Sequence, residues 1–560
     1  MKTLSHILLA SAVLLFTVSC EQELVDNSAN PCPSDDPSII CPEAPAEDCP
    51  SDASAGSADF SKFVAIGTSY TAGFQAGALF TEGQQRSVGR ILAKQFECVG
   101  GGVFNQADIR SENGFNIFLN PNPAGTSVLG RFRLQGDPPQ PAPVSSGTVG
   151  SSDAIPNPML NPGFMYTGSE GAVPSNQLND FSVPAILLGQ TLIYETGNWS
   201  LADIDPDTPG PQPHPYFSPF YARFASNPGG SSLIEDAAAS VANGGTFVLF
   251  WLGMDDALLH AAFGGDATRA PLTSLAAFQG QYNFAVGSIF LANPTVKGVL
   301  ANYPNPFVMP HFTAVPWNAI PLDAATATTL NTNLAANYNG FLDAMVAATV
   351  ITAEEAARRK LNYAPGQNPI LLDDETLTDL TPYMMGDAAV LRPYARARQT
   401  TNADIIPLST ATVLGQAVDA DGDGEPNADA ILGVSVPVAD QYVLIPEESQ
   451  EILARLGEFN AHVKAVTEDA QYGGRLAFAD IQAAQMSMIA QQGSIQNGVL
   501  LTPNINPPTG IYSEDGLHPN SRGYAFIANA IVDAINAKFG ANIPKADVGK
   551  YSATGLPLGL

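Results

Sequence analysis

The sequence predicts a three-layer α/β fold, with a central parallel sheet between helices and large loop-rich insertions. Three observations carry that prediction. Apolar runs such as Phe60 to Ile66 and Thr246 to Trp251 each end at a Gly followed by polar side chains, then enter a helix-like stretch. Strand, tight turn and following helix are the repeating unit of a parallel sheet. The late part of the chain adds helices with single apolar stripes, and 50 Gly and 45 Pro beside only 14% charged residues call for long irregular connections.

The chain begins with Lys2 and an apolar run from Ile7 to Val18. That run is short for a bilayer span and matches the h-region of a secretory signal, so 1–19 is expected to be a signal peptide rather than an anchor. Thr17-Val18-Ser19-Cys20 resembles a bacterial lipobox, which implies lipid on Cys20. Residues 20–58 are polar, rich in Pro and Asp and without periodicity, and read as a disordered tether. Cys32, Cys41, Cys49 and Cys98 then remain, an even number suited to an oxidising compartment. One disulfide between tether and body fits this, with the pairing open. The chain is therefore expected to be exported and lipid-anchored at the outer membrane, on its periplasmic or cell-surface face. It would meet the membrane only through the lipid on Cys20.

The body is expected over 59–545, with insertions at about 105–240 and 305–445 and a tail at 546–560. Phe60 to Ile66 reads as a buried strand with its turn at Gly67 to Tyr70. Val88, Ile91, Leu92 and Phe96 recur at helical spacing just after it. The run Gly136 to Pro141 and the segment Pro206 to Pro219 read as loops. Asn179 to Leu187 reads as a strand end, a turn and a short helix. Thr246 to Trp251, Val296 to Asn302 and Leu476 to Ala479 are further strands. Ile452, Leu456, Phe459, Val463 and Val466 mark one late helix; Tyr524, Ile527, Ile531, Ile535 and Phe539 mark the last, between Pro519 and Gly540.

Charge excludes some partners. With 54 acidic against 24 basic residues, the formal net charge is −30. A surface of that sign repels nucleic acid and anionic headgroups.

Two segments carry chemistry. Gly67-Thr68-Ser69 places a small nucleophile at a strand's end, although Thr71 stands where the Gly-x-Ser-x-Gly elbow has its second Gly. Asp515-Gly-Leu-His518 lets a carboxylate reach one imidazole nitrogen in a tight turn while the other is left for the serine proton. The competing reading is a surface turn capping the last helix. Of the six His, His214 and His311 have no acidic neighbour at useful spacing and His462 lies on a structural helix. His260, one turn after Asp256, reads as half of a surface helix pair. His518 is the favoured base.

Four segments in order, Gly67 to Tyr70, Asn179 to Ala185, Trp251 to Asp256 and Asp515 to Pro519, resemble the SGNH/GDSL hydrolases, in particular their long lipoprotein members. The resemblance spans the body and is echoed at Gly83-Gln84 and Gly366 to Ile370. It implies ester hydrolysis with Ser69 as nucleophile, His518 as base and Asp515 as its orienter, and no catalytic cofactor. It further implies an oxyanion hole from the Ser69 N–H, a second-block N–H best matched by Ser182, and the position held by Asp255. The family has Asn there. An amide donates to an oxyanion, whereas an ionised carboxylate only accepts, and losing one donor costs roughly 10²–10³ in kcat. A protonated Asp255 or a substitute donor would restore the hole; otherwise the chain is a weakened or inactive relative that binds glycan or lipid. The expected substrates are ester-bearing small molecules, lipids or acylated glycans.

Asp419, Asp421, Asp423, Glu425, Asn427 and Asp429 resemble a calcium loop, with Gly424 at the sixth position and Ala430 where the bidentate Glu belongs. A structural calcium and a solvated acidic turn fit this loop equally.

Overall fold

In a computed structural model, the described residues are 49–114, 116, 127–136, 140–148, 166–168, 171–201, 216–420, 422 and 424–554. The signal peptide, Cys20, Cys32, Cys41, residues 20–48 of the tether, His214, Asp421 and Asp423 lie outside them, whereas 49–58, read as tether, pack on the body through Ala58 and a bridge from Ser54 to Asn542. Among the described residues no helix is long and apolar enough to cross a membrane. These residues divide into two compact units, one of 49–257, 273–305 and 455–554, the other of 258–272 and 306–454.

The first unit is built on a parallel sheet. In chain order its principal elements are β1 (Phe63–Gly67), α1 (Ser69–Ala72), α2 (Val88–Glu97), β2 (Asp180–Ser182), α3 (Leu233–Ala242), β3 (Phe247–Trp251), the start of α4 (Asp255–Ala262), α5 (Leu275–Ala292), β4 (Lys297–Ala301), the later part of α6 (Pro446–Glu468), β5 (Leu476–Ala479) and α7 (Ser521–Phe539). Five strands lie in the order β5–β4–β3–β1–β2, every pair parallel. Side chains three apart on a strand leave opposite faces. Phe247 packs on Phe96 of α2 and Phe539 of α7, with ring centroids 5.8 Å away in each case. Phe250 packs on Tyr282 of α5 at 5.3 Å. Helices thus cover both faces, which is why β1 and β3 are apolar throughout and fully buried.

Local signals set the helix ends. Ser87 caps α2, accepting the Arg90 N–H at 3.1 Å. Asn520 caps α7, accepting from Gly523 at 3.0 Å, and Gly540 ends it in the left-handed region at φ 63°. α3 begins with a reciprocal box: Glu235 N–H to Ser232 Oγ at 3.3 Å and Ser232 N–H to Glu235 Oε2 at 3.0 Å. Of the segment read as loop at Gly136 to Pro141, Gln140 and Pro141 instead begin a strand, Gln140–Thr148, paired antiparallel with Ser127–Gln135. Cys49 is joined to Cys98, the residue that caps α2 at its C-terminus.

The second unit occupies much of the stretch read as inserted material. It has two apolar clusters, one around Tyr338, Leu342, Leu380 and Met384, the other around Ile370, Ile406 and Val438. Its strands are three residues long: Ile320–Leu322 pairs with Gly366–Asn368, and Leu371–Asp373 with Ala397–Gln399. Buried arginines take up backbone acceptors that such short strands leave open. Arg359, fully buried, donates to the Thr378 carbonyl at 2.9 Å and to the Ala395 carbonyl. Arg398 forms a fork on Asp404 at 2.9 and 2.7 Å and bonds Asp374.

Candidate active site

The carboxyl ends of β1, β2 and β3 deliver the polar groups. In a doubly wound sheet of order 2-1-3-4-5, ligands bind outside this edge where the strand order reverses. Gly67 is in register with both Ser182 of β2 and Trp251 of β3, so the loops after all three strands open side by side. Gly67 is required by close approach: a Cβ there would lie 2.1 Å from Thr71 Oγ1, which donates to the Thr68 carbonyl at 3.0 Å. Ser69 follows as the first residue of α1 and is 2% exposed.

The loop after β2 meets the serine. The Ala185 N–H donates to Ser69 Oγ at 3.3 Å. Ala185 sits at φ 54°, a left-handed conformation in which a non-glycine residue is strained. Ser182, expected as the second-block donor, is not placed for that role. Its N–H is given to its neighbour Asp180 Oδ1 at 3.0 Å. The N–H that faces the nucleophile belongs three residues later, at Ala185.

Asp515 and His518 lie in the turn before α7. Asp515 Oδ1 accepts the N–H groups of Leu517 and His518 at 2.9 and 2.8 Å. Oδ2 accepts the Gly77 N–H at 2.8 Å and lies 2.9 Å from His518 Nδ1. Burial acts to raise the Asp515 pKa, but the adjacent His518 and these N–H groups outweigh it and hold the carboxyl at about 2. A carboxylate only accepts, so Nδ1 donates and a neutral His518 presents Nε2 as its acceptor. Tyr70 and Phe74 flank the ring, with centroids 6.0 and 4.8 Å from it, and the Tyr70 hydroxyl donates to the Leu517 carbonyl at 3.1 Å. No direct hydrogen bond joins Ser69 Oγ to His518 in this structure; the hydroxyl's partner is Ala185. Such bonds commonly tighten only with substrate in place.

Asp255 opens α4 beyond Gly253, whose φ of 103° and lack of a side chain are both needed: a Cβ would meet Phe278 and the Tyr303 hydroxyl at 2.7 Å. Asp255 is 2% exposed, and its Oδ2 is buried without a hydrogen-bond partner. Burial pushes its pKa up to about 7; His518 opposes the rise, Asp256 adds to it, and the Thr68 side chain and Ile186 N–H oppose it. Thr68, just before Ser69, therefore reaches across to the loop after β3. Asp256 is occupied otherwise, with Oδ2 accepting the Leu188 N–H at 2.8 Å and Oδ1 the Thr273 hydroxyl at 2.7 Å. The expected surface pair of Asp256 with His260 does not form, because His260 is buried and its Nδ1 meets the Ala270 carbonyl at 2.6 Å.

The calcium-like loop holds itself through its backbone. Asp419 Oδ1 accepts the Gly422 N–H at 2.7 Å and Oδ2 the Gly424 N–H at 2.9 Å, while Asn427 Oδ1 accepts from Ala420 at 2.7 Å. Among the described residues, the carboxylates close enough to share an ion are Glu375, Asp440 and Glu448, not members of this loop.

Comparison with protein-family models, characterised proteins and solved structures finds no match. The functional reading therefore rests on the site's own geometry and on the resemblance of its four segments.

Proposed function

We propose that the first unit is an SGNH-type serine hydrolase of carboxylic esters. The observation that carries this reading is the convergence at one sheet edge of Ser69, an N–H directed at its hydroxyl from Ala185, and the Asp515–His518 pair. Ser69 Oγ attacks the ester carbonyl carbon and gives its proton to His518 Nε2. The N–H groups of Ser69 and Ala185 receive the developing oxyanion. His518 then protonates the departing alkoxide, and water repeats the sequence on the acyl-serine. No metal or organic cofactor enters these steps. Substrates are esters of small molecules, lipids or acylated glycans, met outside the cytoplasm by a chain lipid-anchored through Cys20.

The second reading is a non-catalytic lipoprotein that holds glycan or lipid in the same cleft. The carboxyl at position 255 favours it, since an ionised group there would repel an oxyanion. Labelling with a fluorophosphonate separates the two. Modification of the wild type that is lost in Ser69→Ala supports the hydrolase, and no labelling of the folded wild type overturns it.

A further inference from the structure

The candidate oxyanion hole contains a carboxyl where an amide is expected, and its surroundings decide what that carboxyl does. Adjacent N–H groups of one turn serve the two sides: Ala185 faces Ser69 Oγ, and Ile186 lies toward the Asp255 carboxyl. Asp255 therefore stands beside the nucleophile. Thr68 and the Ile186 N–H serve the carboxyl, but the two neighbouring phenols are spent on other groups. The Tyr303 hydroxyl donates to the Leu252 carbonyl at 2.6 Å, and the Tyr70 hydroxyl to the Leu517 carbonyl. Asp256 holds two donors of its own, whereas Asp255 Oδ2 has none. Of these two buried acids, Asp255 is the one whose ionised form is least supported.

Resting on the hydrolase reading above, we propose that Asp255 is a catalytic acid: it works protonated on Oδ2 and donates that hydrogen bond to the oxyanion formed by attack of Ser69. A buried O–H without an acceptor in the resting site gains one when the carbonyl oxygen becomes negative, so the interaction is made in the transition state rather than the ground state. Among the charged groups around Asp255, His518 favours a charge at 255 and Asp256 on the same helix opposes one, and burial outweighs His518; the Tyr70 and Tyr303 phenols, kept neutral by burial, offer it no counter-charge. His518, held by Asp515, becomes cationic in the same step as it takes the serine proton. That charge makes Asp255 a stronger acid as the oxyanion develops. With burial placing the Asp255 carboxyl at about 7, the working form is present below that pH and lost above it.

The test compares pH profiles of aryl-ester hydrolysis by wild type and Asp255→Asn between pH 5 and 10. Wild-type kcat/KM should fall about tenfold per pH unit on an alkaline limb beginning near 7. Asp255→Asn, whose amide donates at every pH, should hydrolyse the ester without that limb and exceed the wild type at pH 9. The same limb in both proteins, or a wild-type plateau through pH 9, overturns the proposal. Infrared difference spectra of wild type against Asp255→Asn give an independent readout. A protonated carboxyl band at pH 6 that is gone by pH 9 is expected, and a carboxylate already at pH 5 overturns the proposal even in an active enzyme. If the band is present but no ester is hydrolysed and no fluorophosphonate label is taken up at any pH, the hydrolase reading itself falls, and the catalytic role of Asp255 with it.

Discussion

The backbone N–H of Gly77 donates to Oδ2 of Asp515 at 2.8 Å, tying the loop after Ser69 to the turn before α7. His518 Nδ1 meets the same oxygen, and the other oxygen accepts two further N–H groups. Both carboxylate oxygens are thus required as acceptors.

Asp515→Asn should therefore fail on two counts. An amide accepts through one atom only, so its NH₂ must face either Gly77 and His518 Nδ1 or the N–H pair of the turn. The imidazole is driven toward the wrong tautomer, and kcat on an aryl ester should drop on the order of 10⁴-fold, the loss seen when a triad Asp becomes Asn. An activity within tenfold of the wild type would remove Asp515 from the orienting role.

Ala185 offers a substitution of opposite sign. A residue with a Cβ in the left-handed region costs roughly 1–2 kcal/mol relative to glycine's freedom there, partly offset by glycine's greater unfolded-state entropy. Ala185→Gly should keep esterase activity and leave stability unchanged or raised by up to about 1 kcal/mol. Ala185→Val should lower both. Denaturant unfolding and initial rates check this together; a Val variant as active and stable as the wild type would contradict the strain.

In the second unit, Arg398→Met leaves Asp404 buried without its cation and Asp374 with Arg358 alone, 3.7 Å away. Breaking one side of a buried pair typically costs about 3–5 kcal/mol. Burial would raise the Asp374 pKa, but the hydrogen bonds from Thr376 and Arg398 together with the Arg398 charge leave it lowered. A depressed folded-state value means stability that is complete above the ordinary carboxylate range and lost as pH falls through and below it. Unfolding midpoints between pH 3 and 7 should therefore slope down toward acid in the wild type, and more shallowly in Arg398→Met. Parallel slopes would show that the pair does not report this titration.

Cys98→Ser removes a bridge spanning 49 positions of sequence. Constraint of the unfolded chain by a loop of that length corresponds to roughly 4 kcal/mol in the entropic account. The variant's unfolding midpoint should fall by several degrees, and reductant should lower the wild type's but not the variant's. Equal midpoints with and without reductant would contradict a stabilising bridge.

The parts of the fold visible in the sequence are those where one force acts alone. β1 and β3 are buried on both faces, so they show as continuous apolar runs, and α7 carries a single apolar stripe between an Asn cap and a terminal Gly. α3 was hidden among Gly- and Pro-rich neighbours, although Ser232 and Glu235 at capping-box spacing mark its start. The second unit left little periodic trace because three-residue strands show no alternation and Arg359 and Arg398, polar in sequence, are core residues in space. At the site, a strand end points to Ser69 and three-residue spacing to Asp515 and His518, whereas Asp255 is singled out by the resemblance. Ala185 is not legible: its role depends on a positive φ that sequence announces only when glycine occupies the position. The resemblance points to Ser182 instead, and sequence does not show that its N–H is already held by Asp180.

The bond from Cys49 to Cys98 also has a mechanical consequence. Cys98 ends α2, and a helix following a strand of a parallel sheet runs back toward that strand's beginning. Phe60, just ahead of β1, stacks on Phe96 at 4.3 Å, and the Ser57 N–H meets the Phe539 carbonyl at the far end of α7. Ser69 and His518 occupy the other edge. The bridge therefore fixes Cys49 to the first unit at the edge away from Ser69 and His518.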